Sequence, residues 1–577
     1  MKQFLQKNKT DLRFLYAILI AGFLLRVFSL NWDQGFHLHP DERAIVMYTL
    51  PLSFPKSVAE FFSPMSSWNP HFFAYGSFPL YLLHGLGNLF GLFDSRLSGY
   101  GSINLIGRLF SAIFDTGTIA LIFLVGKKLF NKRVGQVASF LYAISVLPIQ
   151  LSHFYAVDTI LNFFILITLY FLLSFYEKST IKKAVLIGTL FGFSLATKIS
   201  AIVLLCSFGI TIGIDFFLIA AYAPHKMRLW KPHLSPFLNH LLFFGTVICF
   251  TAVGTFFILE PYAFIDFKKF WLQNMQQQQM TKSAFTFPYT LQYVGKTPYL
   301  YEIKNMFFFG FGIPLGALCF TGMAFYLLSF LKEKRFFYKR EELIFLSFFV
   351  VYFFIVGKFA IGFMRYMLPM YPFLCLCGAI LLIQIFEILK KNIRNKVTLN
   401  TVYLILYTLL LIWPLSFLSI YTKTNTRVMA TNWMLAHIPE QSVIAIEHWD
   451  DSLPLVEEQN YQMITLPLYD PDTSAKWQAI NQKLAQTDYI ILASNRLYIP
   501  LSKLTNCQTL PSSYCYPKTA AYYKKLFSGA LGFKKIAEFT SYPTVPFTNI
   551  KIDDQKADES FTVYDHPKVI IFQKVHE

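Results

Sequence analysis

An acidic pair, Asp41 and Glu42, lies in a short polar segment directly after the first long apolar stretch of the chain. Residues 36–43 read FHLHPDER, so His39 and Arg43 flank the two carboxylates. A proline followed by Asp and Glu is an ordinary helix start, because proline fits the first turn and carboxylates there complement the helix dipole. The position also suits chemistry, since a lipid-linked substrate presents its head group just beyond a membrane span. Position alone leaves both interpretations open.

A third carboxylate, Asp158, lies in another short polar connector, where residues 151–159 read LSHFYAVDT. Asp158 begins the next apolar stretch, so its side chain suits an N-terminal helix cap. If Asp158 and Asp41 lie at the same membrane face, they can share a site by binding a cation or holding a sugar hydroxyl. We therefore group Asp158 with the acidic pair as a candidate site residue.

Basic residues also occur at apolar ends where the positive-inside rule disfavours them. Lys198 lies in the turn ATKIS between two apolar stretches, and Arg365, followed by Tyr366, precedes another. Ionisable residues at a membrane face are functional candidates by default, although long cations also snorkel to lipid phosphate, as suits Lys358. For Lys198 and Arg365 we favour binding of a substrate phosphate, which the planar guanidinium fits well.

Membrane-spanning helices are predicted to position these residues. Of the 577 residues 55% are hydrophobic and only 15% are charged, with a mean hydropathy of +0.44, whereas soluble chains carry roughly 25% charged residues. A helix needs about 20 mostly apolar residues to cross the hydrocarbon core. We therefore predict an α-helical polytopic membrane protein of about 11 spans. The spans are 14–31, 104–126, 134–151, 159–176, 184–197, 199–222, 237–259, 306–331, 342–357, 367–389 and 399–420.

The basic residues determine the predicted orientation of these spans. The chain has 51 Lys and Arg against 33 Asp and Glu, a net charge of +18. Much of the excess lies in the connectors 127–133, 178–183, 226–231, 332–340 and 390–396. With the N-terminus in the cytoplasm, all of these lie on the cytoplasmic side, as the positive-inside rule requires. We therefore expect a multi-pass protein of the inner (cytoplasmic) membrane that does not bind nucleic acid.

Residues 77–93, SFPLYLLHGLGNLFGLF, are apolar enough to be counted as a span, but counting them would reverse the side of every later loop. The segment also contains three Gly, a Pro and a His. We therefore predict an interfacial or re-entrant helix within a long first outer loop at 32–103. Protein or the membrane interface must then cover its backbone polar groups, since lipid cannot satisfy them.

An odd number of spans places the C-terminus outside. Residues 1–420 are then the membrane domain, and residues 421–577 a soluble extracytoplasmic α/β domain. Its predicted strands are 443–446, 489–492 and 569–572, and its predicted helices are 427–437 and 518–527. Cys507 and Cys515 of this domain are either free thiols or a disulfide in an oxidising compartment, and we favour the disulfide.

Taken in order, these motifs resemble the GT-C fold glycosyltransferases of the membrane, in the branch of protein O-mannosyltransferases and lipid A aminoarabinose transferases. That branch has an acidic pair after the first span, an Asp after the third, a Gly-rich span ending in a Lys turn, and an Arg-Tyr-x-x-Pro entry to a late helix. The matching residues here are Asp41 with Glu42, Asp158, Gly188 to Lys198, and Arg365 with Tyr366 and Pro369. The segment YGSFPL at 75–80 is similar to that branch's first-loop helix.

The resemblance covers about residues 14–420. In the tail, EHWDDSLP at 447–454 and YDHP at 564–567 are similar to the tails of other members. This similarity supports the family without indicating chemistry. The acidic residues at 447–451 either face the acceptor or form a solvated turn, and we favour the turn.

The resemblance implies transfer of a sugar from a polyprenyl-phosphate-linked donor to an acceptor (protein, lipid or polysaccharide), with inversion at the anomeric carbon. Asp41 is then the general base, and Glu42 orients it or binds the acceptor. Lys198 and Arg365 stabilise the leaving phosphate. The remaining candidates are His39 and Arg43 as acceptor or supporting residues, Tyr366 in the donor site, and Asp158 and His153 in the donor site or on a divalent metal, whose requirement stays open.

A lipid or polysaccharide transporter or flippase is the main alternative. Such a protein would show inverted repeats, with charges or broken helices at mid-membrane, and neither is clear in this sequence. No P-loop, HExxH or GxSxG motif is present, which argues against ATP hydrolysis, zinc proteolysis and serine hydrolysis.

Overall fold

The computed structural model describes residues 2–211, 213, 231–335, 339–456 and 460–575. Helices make up most of the described chain up to residue 418. They are α1 Lys2–Val27, α2 Pro40–Thr49, α3 Val58–Phe61, α4 Ser77–Gly91, α5 Ile103–Leu129, α6 Lys132–Ala143, α7 Val146–Ser152, α8 Asp158–Glu177, α9 Ile181–Thr197, α10 Lys231–Leu259, α11 Tyr262–Ile265, α12 Phe267–Lys282, α13 Leu300–Asn305, α14 Ile313–Lys332, α15 Arg340–Val356, α16 Tyr371–Asn392 and α17 Lys396–Leu418. Two 3₁₀ segments, Ile199–Val203 and Met364–Met370, matter for the site.

Each predicted span is helical over most of its described length, although residues 212 and 214–222 of one span lie outside the described residues. Within the described chain, six helices are long and apolar enough to cross a bilayer, or seven if the bent pair α6–α7 is one span. Helices α9 and α15, with 17 residues each, fall just below the length that a span requires. The helical polytopic class is thus confirmed, while the number of eleven spans stays a prediction.

The predicted span at 134–151 is broken in the structure. Helices α6 and α7 meet at an angle of 59°. Pro148 lies in α7 and has no N–H to continue the hydrogen-bond ladder across the junction, which accounts for the break. Every residue from 141 to 162 is buried, so the connector that leads to Asp158 lies inside the protein.

The first outer loop folds over the ends of the membrane helices. It contains α2, α3 and α4, and α4 is the segment that we expected not to cross the membrane. With 15 residues, α4 is about 22 Å long, which is too short for an untilted span. Ser77, Pro79 and Leu80 are buried, so protein covers one face of the helix. The position of α4 relative to a bilayer stays a prediction.

The C-terminal segment contains a five-stranded mixed sheet. Its strands are β1 Val443–Glu447, β2 Gln462–Leu466, β3 Tyr489–Leu492, β4 Phe533–Phe539 and β5 Val569–Lys574, in the spatial order β2-β1-β3-β5-β4. Strand β1 pairs in parallel with β2 and β3, whereas β5 pairs antiparallel with β3 and β4. The tail helices are α18 Thr426–His437, α19 Ser474–Gln486, α20 Tyr498–Leu501, α21 Pro517–Ser528 and α22 Glu559–Thr562.

The expected α/β character of the tail is therefore confirmed, including the three predicted strands and both predicted helices. Cys507 and Cys515 form the disulfide that we favoured. The expectation of a solvated turn at 447–451 is wrong, because Asp450 is buried and forms an ion pair with Arg427 at 2.9 Å.

A buried histidine fastens the tail to the helical bundle. His566 donates to Asp554 at 2.9 Å and to Asp565 at 2.5 Å, with all three side chains fully buried. Asp565 also accepts hydrogen bonds from Gln150 of α7 and from Tyr421. Burial by itself lowers the pKa of His566, but the two carboxylates raise it to about 10, so the imidazolium is the stable form at neutral pH.

We expect His566→Gln to lower the free energy of unfolding at pH 7 by about 3 kcal/mol, because two buried carboxylates lose their counter-charge. The pKa of His566 is higher in the folded than in the unfolded protein. Its contribution to the free energy of unfolding is therefore fully present below about pH 6.5 and is lost as pH rises through about 10. Melting temperatures in detergent at pH 7 and pH 10 measure this. The exposed His437→Gln is the control, and a His566→Gln deficit of equal size at both pH values contradicts the assignment.

Candidate active site

Four charged side chains from separate parts of the chain meet at the ends of the membrane helices. Asp41 of α2 forms an ion pair with Arg365, and Lys198 donates to Asp158 at 3.1 Å. Arg365 Nε lies 4.0 Å from the other oxygen of Asp158, so the contacts form one continuous chain. We call these four residues the charge cluster; the structure brings together the four residues that the sequence suggested.

Each member of the charge cluster stands at the end of a helix or in a short turn. Asp41 follows Pro40 in the first turn of α2, and Asp158 is the first residue of α8. Lys198 caps the C-terminus of α9, and Arg365 lies in the 3₁₀ segment Met364–Met370. Charged side chains are placed at the surface of the bundle in this way without interrupting an apolar helix.

The first outer loop packs directly against the turn that carries Lys198. The N–H of Gly76 donates to the carbonyl oxygen of Thr197 at 3.1 Å. A Cβ atom at Gly76 would lie 1.8 Å from the carbonyl oxygen of Ala196, so only glycine allows this close approach. As a result, Tyr75 reaches the cluster, with its ring centroid 5.9 Å from Lys198 Nζ.

Tyrosine rings line the cluster beside Lys198. The ring centroid of Tyr366 lies 4.6 Å from Lys198 Nζ, and the Tyr366 carbonyl accepts a hydrogen bond from Tyr352 at 2.7 Å. Burial raises the pKa of Tyr75 well above its ordinary value, and the neighbouring Tyr366 and Asp158 raise it further. The Tyr75 phenol is therefore a neutral hydrogen-bond donor that can serve a phosphate or a sugar hydroxyl.

The charges within the cluster are balanced. Burial by itself lowers the pKa of Lys198, but Asp158 and Tyr366 raise it above its ordinary value, so Lys198 is protonated. Two cations then face two carboxylates, and each cation already has an acidic partner. An anionic ligand that binds here must compete with Asp41 or Asp158 for them.

Glu42 does not face the charge cluster, so the expectation that it binds the acceptor is not met. Its carboxylate is fully buried and accepts hydrogen bonds from Arg108 at 2.6 and 2.9 Å and from the Tyr155 N–H at 2.8 Å. Arg108 also pairs with Asp33 at 2.7 Å. Burial raises the pKa of Asp33, but Arg108 lowers it below its ordinary value overall. Glu42 thus fixes α2 to α5.

His153 is also separate from the cluster. Both ring nitrogens lie 2.8 Å from backbone carbonyl oxygens, of Ile149 and Phe28, and the ring stacks on Tyr421. The predicted donor or metal role of His153 is therefore not supported by its position. In the described part of the chain, no group of three or more His, Cys, Asp or Glu side chains is arranged to hold a metal ion.

His39 and Arg43 support α2 rather than the charge cluster. His39 caps the helix by accepting the Glu42 N–H at 3.4 Å, while Arg43 pairs with Asp451 of the tail at 3.1 Å. Burial lowers the pKa of His39 well below its ordinary value, and nearby Arg365 lowers it further. The ring is therefore neutral, as an acceptor nitrogen requires.

Arg108 and Glu260 are the residues that sequence reasoning missed. Arg108 lies inside the predicted span 104–126, where an ionisable residue should itself have been a signal. Glu260 follows α10 directly and is buried, and burial raises its pKa well above the usual range. It lines a small cleft beside the charge cluster. The other cleft residues are Phe73, Ala74, Tyr75, Gly76, Leu195, Ile199, Phe256, Phe270 and Asn274.

The family model described as dolichyl-phosphate-mannose-protein mannosyltransferase matches residues 100–250 of the chain. This range contains Arg108, Asp158 and Lys198. No curated protein matches the chain in sequence.

Three solved structures illustrate the similarity in fold. Archaeal oligosaccharyltransferase AglB from Archaeoglobus fulgidus, in complex with an inhibitory peptide and a dolichol-phosphate, has a TM-score of 0.50 and 13% identity, over 98% of this chain and 89% of that chain. ArnT from Cupriavidus metallidurans, bound to undecaprenyl phosphate, has a TM-score of 0.46 and 12% identity, over 97% of both chains. The S. cerevisiae protein O-mannosyltransferase Pmt1-Pmt2 complex has a TM-score of 0.30 and 15% identity, over 45% of this chain and 34% of that chain.

The expected GT-C fold is confirmed by the likeness to AglB, and the family-model match supports the resemblance to the O-mannosyltransferase branch over residues 100–250. The chain is therefore an α-helical membrane protein of GT-C fold with a C-terminal sheet domain.

We expect Glu42→Gln to destabilise the protein, whereas Asp41→Asn leaves its stability nearly unchanged. Loss of the Glu42 charge leaves Arg108 with only Asp33 in a fully buried position, and breaking such a pair costs about 3–5 kcal/mol. Asp41 is partly exposed, and Arg365 keeps Asp158 nearby. Melting temperatures of the two purified variants measure the difference. Equal melting temperatures would refute the structural role of Glu42.

Proposed function

We propose that this chain is an integral-membrane glycosyltransferase that moves a sugar from a polyprenyl-phosphate-linked donor to an acceptor at the extracytoplasmic face, with inversion. The observation that carries the proposal is the charge cluster, in which a partly exposed carboxylate lies beside two cations suited to phosphate. AglB, of similar fold, was solved with a dolichol-phosphate, and the family model concerns dolichyl-phosphate-mannose. Both support a lipid-phosphate donor.

In the proposed reaction Asp41 is the general base. It takes the proton from an acceptor hydroxyl while that oxygen attacks the anomeric carbon of the sugar. The new glycosidic bond forms as the bond between the anomeric carbon and the phosphate oxygen breaks, and the lipid phosphate leaves with the electron pair. A phosphate needs little protonation as a leaving group, so charge stabilisation by Lys198 and Arg365 is the larger contribution.

Donor binding would also release the base. Arg365 is paired with Asp41 in the ligand-free protein, and a phosphate is a stronger bidentate partner for a guanidinium than a single carboxylate oxygen. When the donor phosphate binds Arg365, the Asp41 carboxylate becomes free to accept a proton. Asp158 keeps its contact with Lys198 and orients it, and Tyr366 shields that cation from water.

The residues at the site do not fit a resident divalent metal. The two oxygens of Asp158 face Lys198 and Arg365, and His153 is bound to backbone carbonyl oxygens. A metal ion among these groups would have to displace two cations. The two cations fill the role of phosphate neutralisation in the proposed mechanism, and no step passes through a metal.

The proposed topology follows the distribution of positive charge. The N-terminus lies in the cytoplasm, whereas the charge cluster and the C-terminal domain lie on the extracytoplasmic side of the inner membrane. The acceptor class stays open among protein, lipid and polysaccharide.

A buried charge pair inside the bundle bears on the transporter alternative. Arg26 of α1 pairs with Asp115 of α5 at 2.6 Å, and both side chains are fully buried. Arg26 also donates to the carbonyl oxygens of Gly22 and Ala143, and Tyr142 donates to Asp115. Both side chains are fully enclosed by described residues, so the pair links α1 to α5 and does not line an open path through the helical bundle.

We expect Asp41→Asn to reduce transfer by about 10²–10⁴-fold, as loss of a general base does. The assay uses full-length protein in nanodiscs, with C55 polyprenyl phosphate carrying labelled mannose, glucose or galactose, and membrane protein, lipid and polysaccharide fractions as acceptors. The control is Asp94→Asn, an exposed acid of the same loop that pairs only with Arg96. If Asp41→Asn retains transfer, Asp41 is not the general base. If the wild-type protein transfers none of the three sugars, the proposed function is wrong.

We expect Lys198→Ala and Arg365→Ala each to lower kcat/KM for the donor by about 10–100-fold, the effect of losing one charge-assisted hydrogen bond. Arg365→Lys should recover only part of this loss, because an ammonium cannot bind phosphate in two places. Lys358→Ala is the matched control, since Lys358 is exposed and outside the charge cluster. Unchanged donor dependence in both alanine variants rules out the phosphate site.

A further inference from the structure

The C-terminal domain contacts α2 at two residues that flank Asp41 in the sequence. Before Asp41, the Tyr564 ring packs on His39, the cap residue of α2, with 4.2 Å between ring centroids. After Asp41, Arg43 donates a hydrogen bond to Asp451 at 3.1 Å. The two contacts involve the second residue before Asp41 and the second residue after it.

The contact at Asp451 is anchored to the tail's own fold. Asp451 forms an ion pair with Arg427 of α18 at 3.0 Å, and Arg427 is almost completely buried. Arg427 also pairs with Asp450, which accepts a hydrogen bond from Ser494, just after β3. The carboxylate that holds Arg43 is therefore fixed relative to the sheet.

The contact at Tyr564 is anchored equally well. Asn425 donates to the backbone carbonyl oxygens of Tyr564 and Asp565 at 3.4 and 2.9 Å. Asp565 in turn accepts from Gln150 of α7. Tyr564 is thus tied to the membrane helices as well as to the tail, and it is buried against His39.

These contacts add little to the stability of the fold, but they can fix the position of a reacting group. Arg43 is about one-third exposed, and ion pairs of this kind add little to the stability of a fold. Misplacing a reacting group by about 1 Å, in contrast, can slow catalysis about 10²-fold. Glu42 already fastens α2 to α5, so the tail contacts act on the orientation of the exposed side of the helix, where Asp41 lies.

We propose that the C-terminal domain positions the Asp41 carboxylate by holding α2 at His39 and Arg43, with Tyr564 and Asp451 as positioning residues. This proposal rests on the proposed role of Asp41 as general base. The tail is then a working part of the active site, and the membrane helices alone hold Asp41 in a less defined position.

The kinetic test compares Asp451→Asn with wild type, using the full-length protein and the labelled polyprenyl-phosphate hexose that wild type transfers fastest. We expect kcat per mole of folded protein to fall about 10-fold or more, while the donor KM stays close to wild type. Asp451→Glu keeps the charge and should recover part of the kcat that Asp451→Asn loses. Tyr564→Phe should have a higher kcat than Tyr564→Leu, since stacking on His39 needs only the aromatic ring. Asp94→Asn is again the control.

A second measurement does not depend on activity. Hydrogen exchange of the amides in α2 should be faster in Asp451→Asn and Tyr564→Leu than in wild type and Asp94→Asn. Faster exchange together with a loss confined to kcat supports the proposed positioning of α2 by the C-terminal domain. Unchanged exchange, or an active wild type with unchanged kcat in Asp451→Asn, overturns it. A wild type without any transfer overturns the proposed function instead, and the exchange data still decide whether the tail holds α2.

Discussion

A single buried guanidinium, that of Arg108, holds the first outer loop against the helical bundle. A fully buried cation is tolerated only when carboxylates and carbonyl oxygens satisfy it. Arg108 obtains two carboxylates from the loop, Asp33 and Glu42, and the carbonyl oxygen of Leu30. The start of α2 is therefore fixed to α5, and Asp41 is directed away from Arg108, towards Arg365.

The charge cluster depends on this attachment. Asp41 comes from the loop, whereas Asp158, Lys198 and Arg365 come from the ends of membrane segments. Without the loop, Arg365 would keep Asp158 as its acidic partner at 4.0 Å, but there would be no partly exposed carboxylate beside it. The attachment therefore adds a partly exposed carboxylate to a cation pair suited to phosphate binding, which is the combination that the proposed glycosyl transfer requires.

The tail belongs to the same arrangement. Its sheet presents the segment after β1, with Asp450 and Asp451, to the first outer loop. Its final helix and strand are tied to α7 through His566, Asp565 and Gln150. Loop, bundle and tail thus meet at α2, and Ile45 and Val46 of this helix are buried in an apolar cluster, so a helix of 10 residues has a defined position.

The sequence by itself determined that the chain is a helical polytopic membrane protein. The length of an apolar stretch and the positions of basic residues are local properties, and the bilayer acts on them directly. The sequence also predicted three of the five strands and two of the five helices described in the tail, and it identified Asp41, Asp158, Lys198 and Arg365 as candidates, since charges at the ends of apolar stretches are costly and stand out in a sequence. Only the tertiary structure decided how these residues work together. Asp41 and Glu42 are neighbours in sequence but point about 100° apart on a helix, and the position of Arg108 decides which one is buried. His153 turned inward because the chain breaks at Pro148. The partner of Arg43 is 408 residues away in the chain, a distance over which no local pattern specifies a contact.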